Sequence, residues 1–433
     1  MVARVLVPLH ALQLAALLWL AHRAAFCCDA HYYISLGRAI FEQGLVYEPD
    51  QFAGYRSYFV PLVFGLLEKI PAPAMAGSGE RLPFTLSVAF ALATFAASVH
   101  IVRREGIGRW LAFAAPVFFN PFLLAQVPYP LQESALMLIV APLVVVLLAV
   151  RERSPLATFA LAVAAAALAL TIRGSIGWLA LPLAIFVLLE ARRSPAQWHA
   201  ASKLKLAAVA LVVPLVLLAP QSYQMHKKFG TLHPYPSVDT LAQVFYGIEM
   251  FKVATVLRDG QWTQVRFLSP ASKLPIHEKI TFGFYAKYPG TGLMIVGAHV
   301  WAGLHYDALV PYPRFERLRV LNPWIVLSSL VVALGLIGLA FAFRAPADRS
   351  RAAFLAATLF FSCLYTAFVG VEARFGIFGF LALSIAAAWP ASTPDGRALL
   401  RRALPLVLAY VLLCVVFNAM LLYSAPEMQL TLR

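Results

Sequence analysis

The chain has 433 residues, of which 61% are hydrophobic and only 13% charged, about half the roughly 25% charged content of a soluble domain. Its mean hydropathy is +0.77 and its apolar residues fall in long runs, which excludes a soluble globular chain and indicates a polytopic membrane protein. The net charge of +15 would suit a nucleic-acid binder, but the basic residues stand in small clusters between pairs of apolar runs, so no nucleic-acid partner is expected.

A membrane-spanning helix needs about 20 apolar residues. On that measure spans are predicted near residues 5–26, 83–102, 110–127, 133–150, 156–172, 175–191, 205–222, 323–343, 352–370, 375–391 and 403–423. The first run is too long for a signal-peptide core, and Phe26-Cys27-Cys28 is not a small-x-small cleavage site, so it reads as a retained helix. Pro116 and Pro121 tilt or break the third span. The clusters Arg103-Arg104, Arg151 with Arg153, Arg192-Arg193 with Lys203 and Lys205, Arg344 with Arg349 and Arg351, and Arg397 with Arg401 and Arg402 then share one side. By the positive-inside rule that side is the cytoplasm, which puts the N-terminus inside and the C-terminus outside. The expected fold class is therefore an all-α polytopic membrane protein of about 11 transmembrane helices, one membrane domain over 1–433 with no separate soluble C-terminal domain. Cys27 and Cys28 are adjacent, while Cys363 and Cys414 lie inside apolar runs and read as packing residues, so no disulfide framework is predicted.

Two long loops face the non-cytoplasmic side, 27–81 and 221–322, and long ordered loops beside a membrane usually carry function. In the first, Tyr33, Ile34, Leu36, Ile40 and Phe41 are spaced as one face of an interfacial helix over Ala30–Gln43. "YRSYFVPLVFGLLEKI" (Tyr55–Ile70) has an apolar core too short to span easily and predicts a second interfacial or re-entrant helix. "KYPGTGLMIVGAHVWAGL" (Lys287–Leu304) behaves the same way, and counting it as a span would break the charge parity at Arg344.

Eight short stretches, in order and over nearly the whole chain, resemble a known family. "DAHYYISLGRAI" puts an acidic residue just after the first span and before a tyrosine-bearing interfacial helix. "YFVPLVFGLL" follows, then "ERLPFTLSVAFAL" opening the second span, "PLQESALMLIVAPL" with a glutamate opening the fourth, and "LTIRGSIGWLALPL" after the fifth. "YQMHKKFGTLHPYPS" begins the long loop, "FYAKYPGTGLMIVGAHV" lies within it, and "VEARFGIFGFLAL" opens a late span. Together they resemble the C-type (GT-C) glycosyltransferases, in the bacterial branch that includes protein O-mannosyltransferases and lipid A aminoarabinose transferases. The resemblance implies a donor sugar carried on a polyprenyl phosphate, a glycan, lipid or protein acceptor, and chemistry at the outer membrane face.

Such transfer needs a base for the acceptor, positive charge for the leaving phosphate and a groove open to lipid for the polyprenyl tail. Asp29, at the aqueous boundary, is the candidate base; its structural alternative is a cap on the helix it opens. Glu133 is a candidate acceptor, sugar or metal contact, or else a first-turn carboxylate offsetting the helix dipole. Arg173 and Arg374 stand at the ends of spans where positive charge is disfavoured, and an arginine there can grip a phosphate bidentately or form an ion pair. Glu372 is two residues from Arg374, a spacing that does not share a helix face. His226, Lys227 and Lys228 open the long loop and either bind donor phosphate or reach toward lipid head groups. Tyr32, Tyr33, Tyr55 and Tyr58 are candidate walls of a sugar site or else part of the tyrosine enrichment at membrane interfaces, and Arg56 is a further sugar or phosphate contact or else an exposed loop charge. His233, His277, His299 and His305 are too scattered for a ligand motif.

The expected function is inverting transfer of a sugar from a polyprenyl phosphate to an acceptor on the non-cytoplasmic side, in a bacterial inner membrane, with Asp29 as base. No cofactor is required by the motifs; a divalent cation, Mg or Mn, is one way to neutralise the leaving phosphate. The rival readings are a lipid-linked glycan polymerase or ligase, favoured by a more basic cavity, and a transporter or flippase, which would need charge at mid-span.

Overall fold

The structure, a computed structural model, describes the chain apart from residues 1, 25–28, 45–56, 71–80, 151–153, 233, 235–237, 259, 280, 313–321, 346–347, 370–371, 425–427 and 432–433. Tyr55, Arg56, His233 and the pair Cys27 and Cys28 therefore lie outside the described residues. Where the sequence suggests one membrane domain, the chain divides into two compact units, Met1–Pro236 with Pro346–Phe354 and Ser237–Ala345 with Leu355–Arg433.

Among the described residues nine helices are long and apolar enough to cross a membrane, so this is an integral membrane protein. They are Arg4–Arg23, Leu82–Glu105, Gln132–Ala149, Pro155–Ile172, Gly174–Arg193, Lys203–Lys227, Pro323–Ala342, Arg349–Ala367 and Pro394–Met420. Each coincides with an expected span. The two remaining expectations, 110–127 and 375–391, take other forms.

The segment expected to span at 110–127 is three short helices, Ile107–Phe113, Ala115–Phe118 and Pro121–Leu124. Pro116 and Pro121 each begin a new turn, and the Asn120 side chain caps the last by accepting from the Phe122 and Leu123 amides. Broken backbone survives at membrane depth only where protein covers it, and Phe113, Val117, Phe118, Phe122 and Leu123 are all buried. The freed Phe118 carbonyl accepts a hydrogen bond from Gln13 Nε2 at 2.6 Å. Gln13 Oε1 in turn accepts from Thr94 at 3.1 Å and from His10 Nδ1 at 2.7 Å, and His10 Nε2 meets Ser98 Oγ at 3.0 Å. With the Gln13 amide committed to a carbonyl, its oxygen must accept, which fixes the histidine proton on Nδ1.

The first unit opens with α1 (Val2–Arg23), α2 (Asp29–Gln43), α3 (Phe59–Glu68) and α4 (Leu82–Glu105). Helix α2 buries Ala30, Tyr33, Ile34, Gly37 and Ile40, the i, i+3, i+4 face expected of an amphipathic helix, while Phe41 is exposed. That face lies on α3, and the crossing is at Gly37 and Gly65. A Cβ on Gly65 would stand 2.6 Å from the Gly37 carbonyl oxygen, and one on Gly37 would stand 2.6 Å from the Pro61 carbonyl oxygen. Arg38 closes the rim on Glu68 with two hydrogen bonds of 3.0 and 3.1 Å.

Helix ends that the charge pattern assigns to the cytoplasm come together within this unit. Arg351, 1% exposed, donates from Nε to the Leu148 carbonyl at 2.7 Å. Arg109 donates to the carbonyls of Ala149 at 3.1 Å and Leu148 at 3.3 Å, so two arginines complete the C-terminal end of the helix Ala141–Ala149. Asp348 lies 3.5 Å from both guanidinium groups, and Ser350 donates to Glu190.

The second unit adds what the sequence reading lacks, a small sheet within a helical fold. β1 (Met250–Arg258) and β2 (Gln261–Leu268) form an antiparallel hairpin, and β3 (Met428–Thr431) pairs with the far edge of β2. Arg258 pairs with Gln261, and Gly260 just before Gln261 has φ +77°, a conformation glycine supplies without steric cost. The hairpin packs through Phe251, Val256, Val265 and Phe267 onto Val244, Ile248, Phe284, Ile295 and Ala298. The stretch expected to span at 375–391 is the twelve-residue helix Ile377–Ala388, of which ten residues are buried. A helix of that length is about 18 Å long, short of a bilayer core. The stretch read as interfacial at Lys287–Leu304 is the helix Pro289–Leu304, sixteen residues long.

The glycine crossing makes a specific demand. Gly65→Ala should destabilise the protein by about 1–3 kcal/mol, because the new methyl meets backbone that cannot rotate away. Gly290→Ala, where a Cβ meets nothing within 4 Å, should leave the melting temperature in detergent unchanged or slightly raised.

A candidate lipid-phosphate site in the first unit

The carboxylate Glu133 and the guanidinium Arg173, forty residues apart in the chain, form an ion pair through Oε1 and Nη1. Local sequence sets both ends. Leu131 is extended, and the helix starts as a single turn, Gln132–Ala135, with Glu133 in that first turn. The helix then widens into a π turn over Leu136–Val140 before resuming as Ala141–Ala149. Pro142, second in that last stretch, has no N–H for the carbonyl four residues back, and the ladder widens just ahead of it. Arg173 ends the helix Pro155–Ile172 in an extended conformation, φ −149° and ψ 109°, and a 3₁₀ turn follows over Gly174–Leu179. Its Nε donates to Ser175 Oγ at 3.1 Å, so the guanidinium plane is held from two sides.

Burial makes this pair consequential. The Glu133 side chain is 1% exposed and that of Arg173 14%. The cation can thus be reached by a ligand while its carboxylate cannot. Two desolvated charges stabilise each other only as a pair, and removing one strands the other at a cost of about 3–5 kcal/mol.

A second set of hydrogen bonds fastens the start of α3 to the end of Pro155–Ile172 and to Lys203–Phe229. Ser57 Oγ donates to the Thr171 carbonyl, two residues before Arg173, and accepts from the Phe59 amide at 3.1 Å. The Tyr58 amide donates to Gln221 Oε1 at 3.1 Å, and the Tyr58 hydroxyl donates to the Leu217 carbonyl at 2.8 Å. Burial pushes the Tyr58 phenol above its ordinary value, which keeps it a donor. Helix α3 also packs on the turn that carries Glu133, on α4 and on Pro155–Ile172. Asp29 is the half-buried first residue of α2, the helix that lies on α3. Tyr33 is buried against Phe64, and Tyr32 is exposed.

From Leu170 and Gly177, on either side of Arg173 in the chain, an apolar cavity of about 500 Å³ runs between three helices. Phe159, Ala162, Val163 and Ala166 line it from Pro155–Ile172, Ala180 to Leu188 from the next helix, and Ala210, Pro214 and Leu218 from Lys203–Phe229. Every lining residue is apolar. Alanines and a glycine keep the helices from filling it.

The other expected site residues fall as follows. His226 and Lys227 are exposed near the end of Lys203–Phe229, where the His226 carbonyl accepts from the Gly230 amide at 2.9 Å. Gly230, with φ +69°, makes the left-handed helix end. Arg374 belongs to the second unit and pairs with Glu372 at 2.6 Å. The i, i+2 spacing permits this because Glu372 is extended and Ala373–Gly376 is a 3₁₀ turn rather than an α-helix. The metal expectation for Glu133 fits poorly. Its carboxylate is engaged by Arg173, and among the described residues no group of three or more His, Cys, Asp or Glu is placed to hold a metal ion. Ser57, Thr171 and Gln221 were not foreseen. The signal for Gln221 was available: an amide directly after Pro220 at the end of an apolar run must find a partner once buried.

The pair should behave as a unit. Arg173→Met should cost about 3–5 kcal/mol by denaturation in detergent, and adding Glu133→Gln should recover part of that loss, since the stranded carboxylate is then neutral. A double variant as unstable as the sum of two independent losses would mean that the charges do not couple.

Comparison of the chain with known protein families, curated proteins and solved structures returns no match.

Proposed function

We propose that the protein is an integral membrane glycosyltransferase of the GT-C kind, moving a sugar from a polyprenyl phosphate to an acceptor on the non-cytoplasmic side of a bacterial inner membrane. The single observation that carries this reading is the apolar cavity beside the turn that holds Arg173. A long hydrocarbon chain and an anionic head group need that combination, dry walls followed by a fixed, partly exposed guanidinium. The GT-C architecture belongs to the same proposal, with the broken segment over Ile107–Leu124 and the short helix Ile377–Ala388 as two partial crossings that bring the count to eleven.

In this mechanism the polyprenyl chain lies in the cavity and its phosphate meets Arg173. Asp29 takes the proton from an acceptor hydroxyl. The hydroxyl oxygen attacks the anomeric carbon, and the bond from that carbon to the phosphate oxygen breaks with its electron pair on the phosphate. Polyprenyl phosphate leaves, and the configuration inverts. Charge grows on the leaving oxygen as the bond breaks, so Arg173 acts most strongly in the transition state. Glu133 and Ser175 set the guanidinium in place beforehand, and the exposed Lys227 adds long-range attraction for the donor's phosphate.

The test is transfer of radiolabelled sugar from polyprenyl-phosphate donors by the purified protein in liposomes. Asp29→Asn should lower turnover by at least about 10²-fold, the usual scale for loss of a general base, with an unchanged melting temperature. Full turnover in a folded Asp29→Asn protein would remove Asp29 from the mechanism. Absence of transfer by the wild type from any lipid-phosphate sugar would overturn the functional reading.

A further inference from the structure

The apolar groove runs well beyond the turn that holds Arg173. Along Pro155–Ile172 its lining extends from Leu170 to Phe159, a rise of about 17 Å, more than half the thickness of a bilayer core. The far end lies at Phe159, Leu188 and Ala210. Phe159 is about one turn from the start of its helix, Leu188 stands shortly before Arg193, and Ala210 follows two turns after Lys203. This end therefore approaches the membrane face that the charge pattern assigns to the cytoplasm. It is also the more open end: Leu188 and Ala210 are exposed, whereas Leu170, Gly177 and Leu218 near Arg173 are half-buried.

Exposed cations stand at the helix ends beside that opening. Arg192 and Arg193 finish Ala180–Arg193, and Lys203 and Lys205 begin Lys203–Phe229. The rise from Leu188 to Arg192 is about 6 Å and from Ala210 to Lys205 about 8 Å, distances that long side chains cover while keeping their charge at the membrane surface. From residue 189 to 205 the sequence holds one acidic residue, Glu190, which lies 3.9 Å from Arg193 and accepts from Ser350. The short helix Pro195–Ala200 joins the two helix ends and carries the half-buried Trp198, a side chain suited to head-group depth.

The arginines fit a helix C-terminus, but the lysines oppose the dipole of the helix that they begin. No acidic residue stands in that first turn, and Ser202 Oγ accepts from the Lys205 amide at 3.4 Å. The positive-inside rule accounts for the sign of these lysines but not for their place at the mouth of a dry groove. Lysines and amide dipole together favour an anion there, and the groove beside them favours hydrocarbon. We infer that this end of the groove binds an anionic membrane phospholipid, with an acyl chain against Leu188 and Ala210 and the phosphate head group at Arg192, Lys203 and Lys205. A free phosphate has no use for the apolar walls, and a zwitterionic lipid brings a cation of its own. The site does not depend on sugar transfer, and its head group lies at the opposite end of the groove from Arg173.

Native mass spectrometry of the full-length protein tests the site, with phosphatidylglycerol, phosphatidylcholine and, as a head group without chains, glycerol phosphate. Phosphatidylglycerol should be retained at least about tenfold more tightly than phosphatidylcholine, the scale for several cations at a membrane surface, and glycerol phosphate should not be retained. Lys203→Gln with Lys205→Gln should abolish the preference in a protein of unchanged melting temperature, and Ala210→Phe should weaken retention of phosphatidylglycerol. Arg103→Gln with Arg104→Gln, exposed cations that end α4 away from the groove lining, should keep the preference. Equal loss in that control, retention of glycerol phosphate, or a preference unchanged by the lysine substitutions overturns the site. Polyprenyl phosphate should still bind the lysine variant, and its loss there would overturn the separation of the two head groups. Failure of polyprenyl phosphate to bind the wild type would sink the lipid-phosphate reading and leave this site standing.

Discussion

The arrangement in the first unit depends on keeping two charges out of water together. Glu133, 1% exposed, has no solvent to stabilise its charge, and Arg173 supplies the compensation. That requirement fixes the first turn of one helix against the last residue of another. The bond that Ser57 makes to the Thr171 carbonyl lies within a turn of the same arginine. In a membrane protein the requirement is stricter than in a soluble one, since lipid offers an unpaired group nothing.

The same rule explains features that otherwise look like irregularities. The broken segment around Pro116 and Pro121 leaves a carbonyl at Phe118, and Gln13 is there to meet it. The helix that starts at Gln132 ends at Ala149 with its carbonyls taken by Arg109 and Arg351. Cavity and ion pair are therefore not the products of loose packing. Small residues keep the groove open at Ala162, Ala166 and Gly177.

Much of the fold was legible from periodicity and charge, because a bilayer imposes length and polarity on every helix that crosses it. The amphipathic face of α2 could be read from Tyr33, Ile34 and Ile40, and its buried side is that face. The third predicted span is broken, as Pro116 and Pro121 suggest, into three short helices; hydropathy could not show this, since Phe118 and Phe122 are as apolar in three short buried helices as in one long exposed one. The hairpin was missed although "VLRDGQWTQV" carries an Asp-Gly loop between alternating residues, the strongest short-range hairpin pattern; reading the stretch only as a long loop hid it. For the site, Glu133 and Arg173 stood out as charges at the ends of apolar runs. Their pairing was not legible, because nothing in one sequence relates residues forty positions apart. Glu372 and Arg374 were set aside as partners on helical spacing, and the 3₁₀ turn removes that objection.

The central claim is that the groove beside Arg173 receives the chain of a lipid phosphate. Native mass spectrometry of the purified protein titrated with polyprenyl phosphate measures this directly, with Ala166→Phe as the variant that fills the groove. The account predicts saturable binding that survives washing with short-chain lipids and is lost in a folded Ala166→Phe protein. Binding of equal strength in that variant, or no retention of polyprenyl phosphate by the wild type, would contradict it.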